Sequence, residues 1–157
     1  MSTITLADLK ARLAPGQRLL GLDLGEKTIG LALSDTMVTI ATPLETLARG
    51  KFTLDAAKIL KLIAQHNIGA LIVGLPLNMD GSEGPATQKA RAFARNFAAK
   101  SDVAIVLQDE RLSTAAVTRT LLEADSSRAR RAAVVDKMAA AYILQGALDR
   151  LRTLPNA

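Results

Sequence analysis

The chain has 157 residues and a net charge of +5 at pH 7, with 20 lysines and arginines against 15 acids. Apolar residues make up 49% and aromatic residues only 3%, so a core of Leu, Ile, Val and Ala is expected, without stacking platforms for nucleic-acid bases. The absence of cysteine excludes a disulfide framework, thiolate zinc sites and a cysteine nucleophile, and it fits a reducing compartment.

The first stretch, MSTITLADLKARLAPGQR, lacks the charged, apolar and small-residue segments of a secretory signal, and no window approaches the roughly 18 apolar residues of a membrane span. A soluble cytoplasmic protein without a membrane partner is expected. Residues 1–16 read as an N-terminal extension ending at Pro15–Gly16, with Leu6, Leu9 and Leu13 spaced for a short helix. Residues 17–153 read as a single domain. Arg18–Leu24 and Thr28–Ser34 read as strands joined into a hairpin by Gly25-Glu26-Lys27. Thr39–Leu47 gives a third strand, with Pro43 marking an edge or a bulge.

TLDAAKILKLIAQHN follows as a helix with Thr53 as its candidate cap, and Ile59, Leu62 and Ile63 on one face. ALIVGLPL reads as a buried strand and NMDGSEGPATQ as a turn-rich loop. The next helix carries Ala86, Ala90, Phe93 and Phe97 on one stripe. VAIVLQDE is a fifth strand, STAAVTRTLLEA a helix that Ser113 could cap, and DKMAAAYILQGALDRL the last helix, opened by Asp136. His66 reads as a residue of a helix C-terminus, and Tyr142 as core or helix surface. Three consecutive strands followed by alternating helices and strands describe an α/β fold: a mixed five-stranded sheet, its first three strands antiparallel, with helices on both faces.

Three acidic positions are awkward for this pattern. Asp23 interrupts an apolar strand, Asp109–Glu110 closes another, and Asp136 shares a helical face with Ala139, Ala140, Ile143 and Ala147. Each has an ordinary explanation. Asp23 could pair with a lysine or arginine, Asp109 and Glu110 could serve a turn and an ion pair with Arg111, and Asp136 could favour a helix N-terminus by about 0.3–1 kcal/mol. Jointly they invite another reading, because strand ends and a helix can converge on one rim. Carboxylates about 5 Å apart repel by roughly 3 kcal/mol at an effective dielectric near 20. Such a cluster takes up protons or binds a cation, and all-oxygen ligation suits magnesium or manganese. A pair of these ions activates water against a phosphodiester, the chemistry of a nuclease.

Four ordered segments, LLGLDLGEKTIGLALSD, LIVGLPLNMDGSEGPAT, QDERLSTAAV and VDKMAAAYILQGALD, resemble the YqgF/RuvX family from about Arg18 to Asp149. The resemblance implies an RNase H-like fold of the retroviral-integrase and RuvC type, and a hydrolase acting on phosphodiester bonds. The role it implies is 5′-end processing of pre-16S ribosomal RNA in ribosome biogenesis, with Mg2+ or Mn2+, two ions, as cofactor. It implies Asp23, Glu110 and Asp136 as the catalytic and metal-holding acids. Asp109 would stand outside them, and Arg111 would contact a phosphate or orient Glu110. Asn78 could touch substrate, whereas Asp80 reads as a turn residue. Arg128, Arg130, Arg131 and Lys137 cluster beside the acidic rim, either as a solvated loop or as a phosphate clamp insensitive to sequence.

The chain departs from the family at Ala116, where a capping glutamate is frequent, and at Glu26, where threonine is frequent; Glu26 is expected to face solvent. The alternatives are a Holliday-junction (branched DNA) resolvase and a non-catalytic rRNA-binding assembly factor. An actin-like ATPase is set aside because the chain supplies one lobe and has no second phosphate loop. A monomer and a homodimer are both compatible with the sequence.

Overall fold

The computed structural model describes residues 3–110 and 128–155, with the backbone alone at 128–136. Its elements are α1 (Leu6–Arg12), β1 (Arg18–Leu24), β2 (Thr28–Ser34), β3 (Ala41–Ala48), α2 (Phe52–His66), β4 (Ile68–Leu75), α3 (Pro85–Ala98), β5 (Ala104–Asp109) and α4 (Arg128–Thr153). The helix expected at STAAVTRTLLEA, with Ser113 and Ala116, lies outside the described residues, as does Arg111. The strands form one sheet in the order β3-β2-β1-β4-β5. β1 pairs antiparallel with β2 and parallel with β4, β2 pairs antiparallel with β3, and β4 pairs parallel with β5. This is the mixed sheet that the chain order predicts, in the RNase H-like arrangement that the family resemblance implies.

Both faces are covered because the central strands are apolar on both sides. Leu19, Ala32, Ala70, Ile72 and Val106 pack under α1 and α4, while Leu20, Leu22, Leu71, Val73 and Ile105 pack under α2 and α3. With few rings available, aromatic packing is confined to α2 and α3, where Phe93 meets Phe52 edge-on at 5.4 Å and stacks with Phe97 at 6.0 Å.

The hairpin bounds agree with the sequence reading, and Gly25 and Thr28 close the turn through an N–H···O bond of 2.8 Å. Pro43 satisfies both expectations. It sits on the edge strand β3, and the register slips there, with Leu31 opposite Glu45 but Ala32 opposite Pro43, leaving Leu44 as the extra residue. The N-terminal helix is tied into the fold: Leu6 and Leu9 are buried, and the Ile4 amide donates to the Ile105 carbonyl at 2.8 Å. The Lys10 ammonium donates to the carbonyls of Leu151, at 2.7 Å, and Leu154, placing a cation at the negative end of α4.

Three local expectations are corrected. Thr53 does not cap α2, because the helix starts one residue earlier and its N-cap position is Lys51; Asp55 instead accepts from the Gly50 amide at 3.1–3.2 Å. Ala86 is exposed, and the buried stripe of α3 is Thr87, Ala90, Phe93, Ala94 and Phe97. Thr87 turns inward because its hydroxyl donates to the Pro76 carbonyl, where the chain leaves β4. Asp136 does not open the last helix. Arg and Ala are strong helix formers, so RARRAAVV extends the helix upstream to Arg128.

The turn after β2 contributes a pH-dependent part of the stability. Asp35 accepts from the Thr39 hydroxyl at 2.6 Å and from the amides of Thr39 and Ile40 at 2.7 and 3.0 Å. These bonds, the Thr39 hydroxyl first, pull its carboxyl down from 3.8 to about 2. A depressed carboxylate stabilises the fold fully above its unfolded pKa and loses that contribution as pH falls through the folded value. Asp35→Asn is therefore expected to cost about 1 kcal/mol at pH 7 after solvent screening. Denaturant titrations of the two proteins should converge as the pH falls from 4 toward 2.

Candidate active site

β1, β4 and β5 run parallel, so their C-terminal ends share one rim of the sheet. Asp23 lies there, 4% exposed, opposite Gly30 of β2. Its face follows from Gly21, two residues earlier, where a Cβ would meet the Leu144 Cβ of α4 at 2.8 Å and the Ala140 carbonyl oxygen at 2.9 Å. Strand side chains alternate, so Asp23 faces the α4 side. The parallel register ends at Leu22 beside Val73, which brings Asp23 and Gly74 alongside each other, about 5 Å apart between strands.

Gly74 explains how a second acid reaches this point. A Cβ there would lie 2.6 Å from Glu110 Oε1 and 2.7 Å from Ile143 Cδ1. The bare backbone of Gly74 thus leaves the space in which Glu110, beyond the end of β5, places its carboxylate on the α4 face. Asp23 and Glu110 are thereby brought to adjoining strand ends on one face of the sheet. Sequence reasoning treats Gly74 as one more residue of a buried strand, and only the tertiary contact reveals its use.

Asp136 lies on α4 one turn before Ala140, and Ala139, Ala140, Ile143 and Ala147 are all buried against the sheet. Since Ala140 sits over Gly21 and Ile143 over Gly74, the backbone of Asp136 continues toward the strand ends that carry Asp23 and Glu110. Eight residues from the helix start, it is beyond the reach of the N-terminal dipole, which fades after the first turn. That ordinary explanation of Asp136 is removed. Its side chain, like those of Arg128, Arg130 and Arg131, lies outside the described ones. Arg128, Arg130 and Arg131 belong to the helix rather than to a loop, and Lys137 is half-buried on it.

Asp109 is placed differently. Ile105 and Leu107 pack with the α2 and α3 layer and Val106 with α4, so alternation directs Asp109 to the face opposite Asp23. It also lines a groove along the β5 edge, between Arg91 of α3 and the Thr5, Asp8 and Arg150 side of α1 and α4. Glu26 is exposed in the hairpin turn, as expected. His66 ends α2, followed by Asn67 in the left-handed conformation, and Tyr142 packs at the edge of the α4 core.

The loop after β4 is braced from within. Asn78 Nδ2 donates to the Ser82 hydroxyl at 2.9 Å, and Asp80 accepts from the Ser82 amide and hydroxyl at 2.9 and 2.6 Å. Gly81 has φ +87° and donates to the Asn78 carbonyl, so glycine is required there. Gly84 has an extended φ of −111° that any residue adopts. Glu83 holds Arg91 of α3 through paired 2.8 Å bonds, which keep its carboxyl below the usual range. Asn78 therefore has a bracing role in the loop that faces the rim.

The contact at Gly74 separates activity from stability. In Gly74→Ala the atoms nearest the new methyl are the far ends of Glu110 and Ile143, which can rotate away, so a stability loss of about 1 kcal/mol is expected. A shift of Glu110 by about 1 Å should reduce turnover on the order of a hundredfold. Denaturation and cleavage rates measured on one preparation check the split.

Among the described residues no three His, Asp or Glu side chains form a metal-holding group, and Asp136 is not among those described side chains. Asp23 and Glu110 supply oxygen donors only, a set that fits a hard divalent cation rather than zinc.

The family model described as "RuvX: Holliday junction resolvase" matches residues 17–150. A Methylocella silvestris protein named "Putative pre-16S rRNA nuclease" is 61% identical over 151 residues, covering 96% of this chain and 94% of that protein. A Paramagnetospirillum magneticum protein of the same name is 62% identical over 149 residues, covering 95% and 96%. Among solved structures, Thermus thermophilus RuvC in complex with a Holliday junction substrate superposes with a TM-score of 0.53 at 14% identity, covering 87% of this chain and 97% of that one. The last likeness concerns the fold alone. With its family model matched over residues 17–150 and relatives near 60% identity end to end, the chain belongs to the RuvX family, on an RNase H-like fold.

Proposed function

We propose that this protein is a metal-dependent nuclease that hydrolyses phosphodiester bonds, acting in 5′-end processing of pre-16S ribosomal RNA. The observation that carries the reading is the pair Asp23 and Glu110. One is a buried acid on a central strand, the other a carboxylate housed over Gly74 beside it. Asp23 is buried and Glu110 half-buried, and two carboxylates on adjoining strand ends of one face offer the oxygen donors that a hard divalent cation takes. The name shared by relatives near 60% identity supports the ribosomal substrate.

In this reading Asp23, Glu110 and Asp136 hold Mg2+ or Mn2+, two ions. Bound there, the ions would supply an activated water and stabilise the leaving oxygen. The chain's own part is geometric. β1 fixes Asp23, Gly74 leaves room for Glu110, and the arginines that open α4 attract a polyanion toward an otherwise acidic rim. Arg111 and Asn78 stand as substrate-side residues. A cytoplasmic location fits this role, and among the described residues no helix is long and apolar enough to cross a membrane.

The second reading, cleavage of a four-way DNA junction, is favoured by the description of the matching family model. A binding factor without catalysis is disfavoured by the presence of all three acids. The deciding experiment incubates the protein with magnesium or manganese and either precursor 16S RNA or a four-way DNA junction, with Asp23→Asn and Asp136→Asn as controls. Faster, carboxylate-dependent cleavage of the RNA supports the reading; faster cleavage of the junction replaces its substrate.

A further inference from the structure

Around the end of β1 from Asp23 lies a cavity of about 310 Å3, lined by Leu24, Gly25, Glu26, Arg49, Pro85 and Lys89 among others. Leu24 belongs to the α2 and α3 core, so the cavity opens on the face opposite α4, one residue beyond the buried acid. Arg49 is anchored twice to the hairpin turn: its amide donates to the Lys27 carbonyl at 2.8 Å, and Nη1 donates to the Gly25 carbonyl at 2.6 Å. A guanidinium carries five N–H donors, and this anchor uses one of them while holding the rest beside the cavity. Lys89 reaches the same cavity from α3 and is exposed. Among the described residues neither cation is in an ion pair, in contrast to Arg91 and Arg152, which hold Glu83 and Asp149.

We propose that Arg49 and Lys89 form a subsite for a backbone phosphate of the nucleic-acid strand on the far flank of the acidic rim. The inference rests on the nuclease reading and extends it to the path of the strand. Leu24 places this cavity on the face opposite Asp23, so the strand would continue from the acidic rim onto the α2 and α3 side of the sheet. Recognition of this kind reads phosphate and not base identity. Glu26, which lines the same cavity, opposes the phosphate, and its sign makes the idea testable in both directions.

The test is fluorescence anisotropy of a labelled RNA hairpin with a single-stranded 5′ extension, in EDTA and in an Asp23→Asn background so that nothing is cleaved. Lys89→Ala is expected to weaken binding about three- to tenfold at low salt, and to flatten the plot of log affinity against log salt by about 0.7–0.9 for the lost phosphate contact. Arg49→Ala should add a similar change, and Glu26→Gln should tighten binding about two- to threefold. Because Arg49 also supports the turn, Lys89→Ala and Glu26→Gln, both at exposed positions, keep the test valid if Arg49→Ala fails to fold. Affinity and salt slope unchanged in Lys89→Ala, with the RNA still bound, would overturn the subsite and leave the nuclease reading standing. A parent protein that binds neither RNA nor DNA would overturn both.

Discussion

Gly21→Ala is expected to destabilise the protein by about 3 kcal/mol, at the upper end of the usual cost of overpacking. The added methyl would sit 2.8 Å from the Cβ of Leu144 and 2.9 Å from the Ala140 carbonyl oxygen. Neither atom can rotate away, since one is backbone and the other is the root of its side chain. α4 would have to lift from β1, and with it the buried row Ala140, Ile143, Leu144, Ala147 and Leu148. Domains of this size are stable by about 5–15 kcal/mol, so the loss is a large share of the total. Chemical denaturation measures it directly, as a lower midpoint at unchanged slope. Because α4 also carries Asp136, the same substitution should weaken activity in the fraction that stays folded.

The contrast with Gly74 is instructive. Both glycines lie in buried strands under α4, and neither is needed for a turn. At Gly21 the neighbour is the helix backbone, so the consequence is structural. At Gly74 the neighbours are side-chain ends, one of them the carboxylate of Glu110, so under the proposed nuclease reading the expected consequence is a loss of activity.

Asp23→Asn carries the other large expected effect. The amide keeps the size of the acid and removes its charge, so the core around Leu22 and Leu24 is retained and the far-ultraviolet circular dichroism should match that of the parent. Cleavage should fall on the order of a thousandfold, equivalent to about 4 kcal/mol of transition-state stabilisation. Metal linkage gives a second readout. Magnesium at ten times its dissociation constant should stabilise the parent by about 1.4 kcal/mol, and Asp23→Asn should reduce that gain. Mutating the exposed Glu26 to Gln should leave the metal-dependent gain in place.

How far the sequence anticipates this depends on the range of the interaction involved. The hairpin, β4, β5 and the mixed sheet follow from local patterning, since their apolar runs and short turns leave few alternatives. Asp23 is also legible locally, because a charge in such a run is conspicuous. The start of α4 is misread because clustered arginines look like a solvated loop, although arginine and alanine favour helix. Ala86 is misread as part of the α3 stripe because Thr87 takes that place, its hydroxyl held by the Pro76 carbonyl eleven residues earlier. Asp109 adjoins Glu110 in sequence, yet strand alternation sends it to the opposite face, while Glu110, past the end of β5, turns onto the α4 side. Gly21 and Gly74 carry no local signal at all; their roles exist only against α4 and Glu110.

The most direct measurement is the rate of magnesium-dependent cleavage of precursor 16S RNA by the parent protein and by folded Asp23→Asn. Specific cleavage by the parent, lowered about a thousandfold in the variant, is the predicted result. Equal rates in the two proteins, or a parent that binds the RNA and never cuts it, would contradict a carboxylate-built nuclease site at this rim.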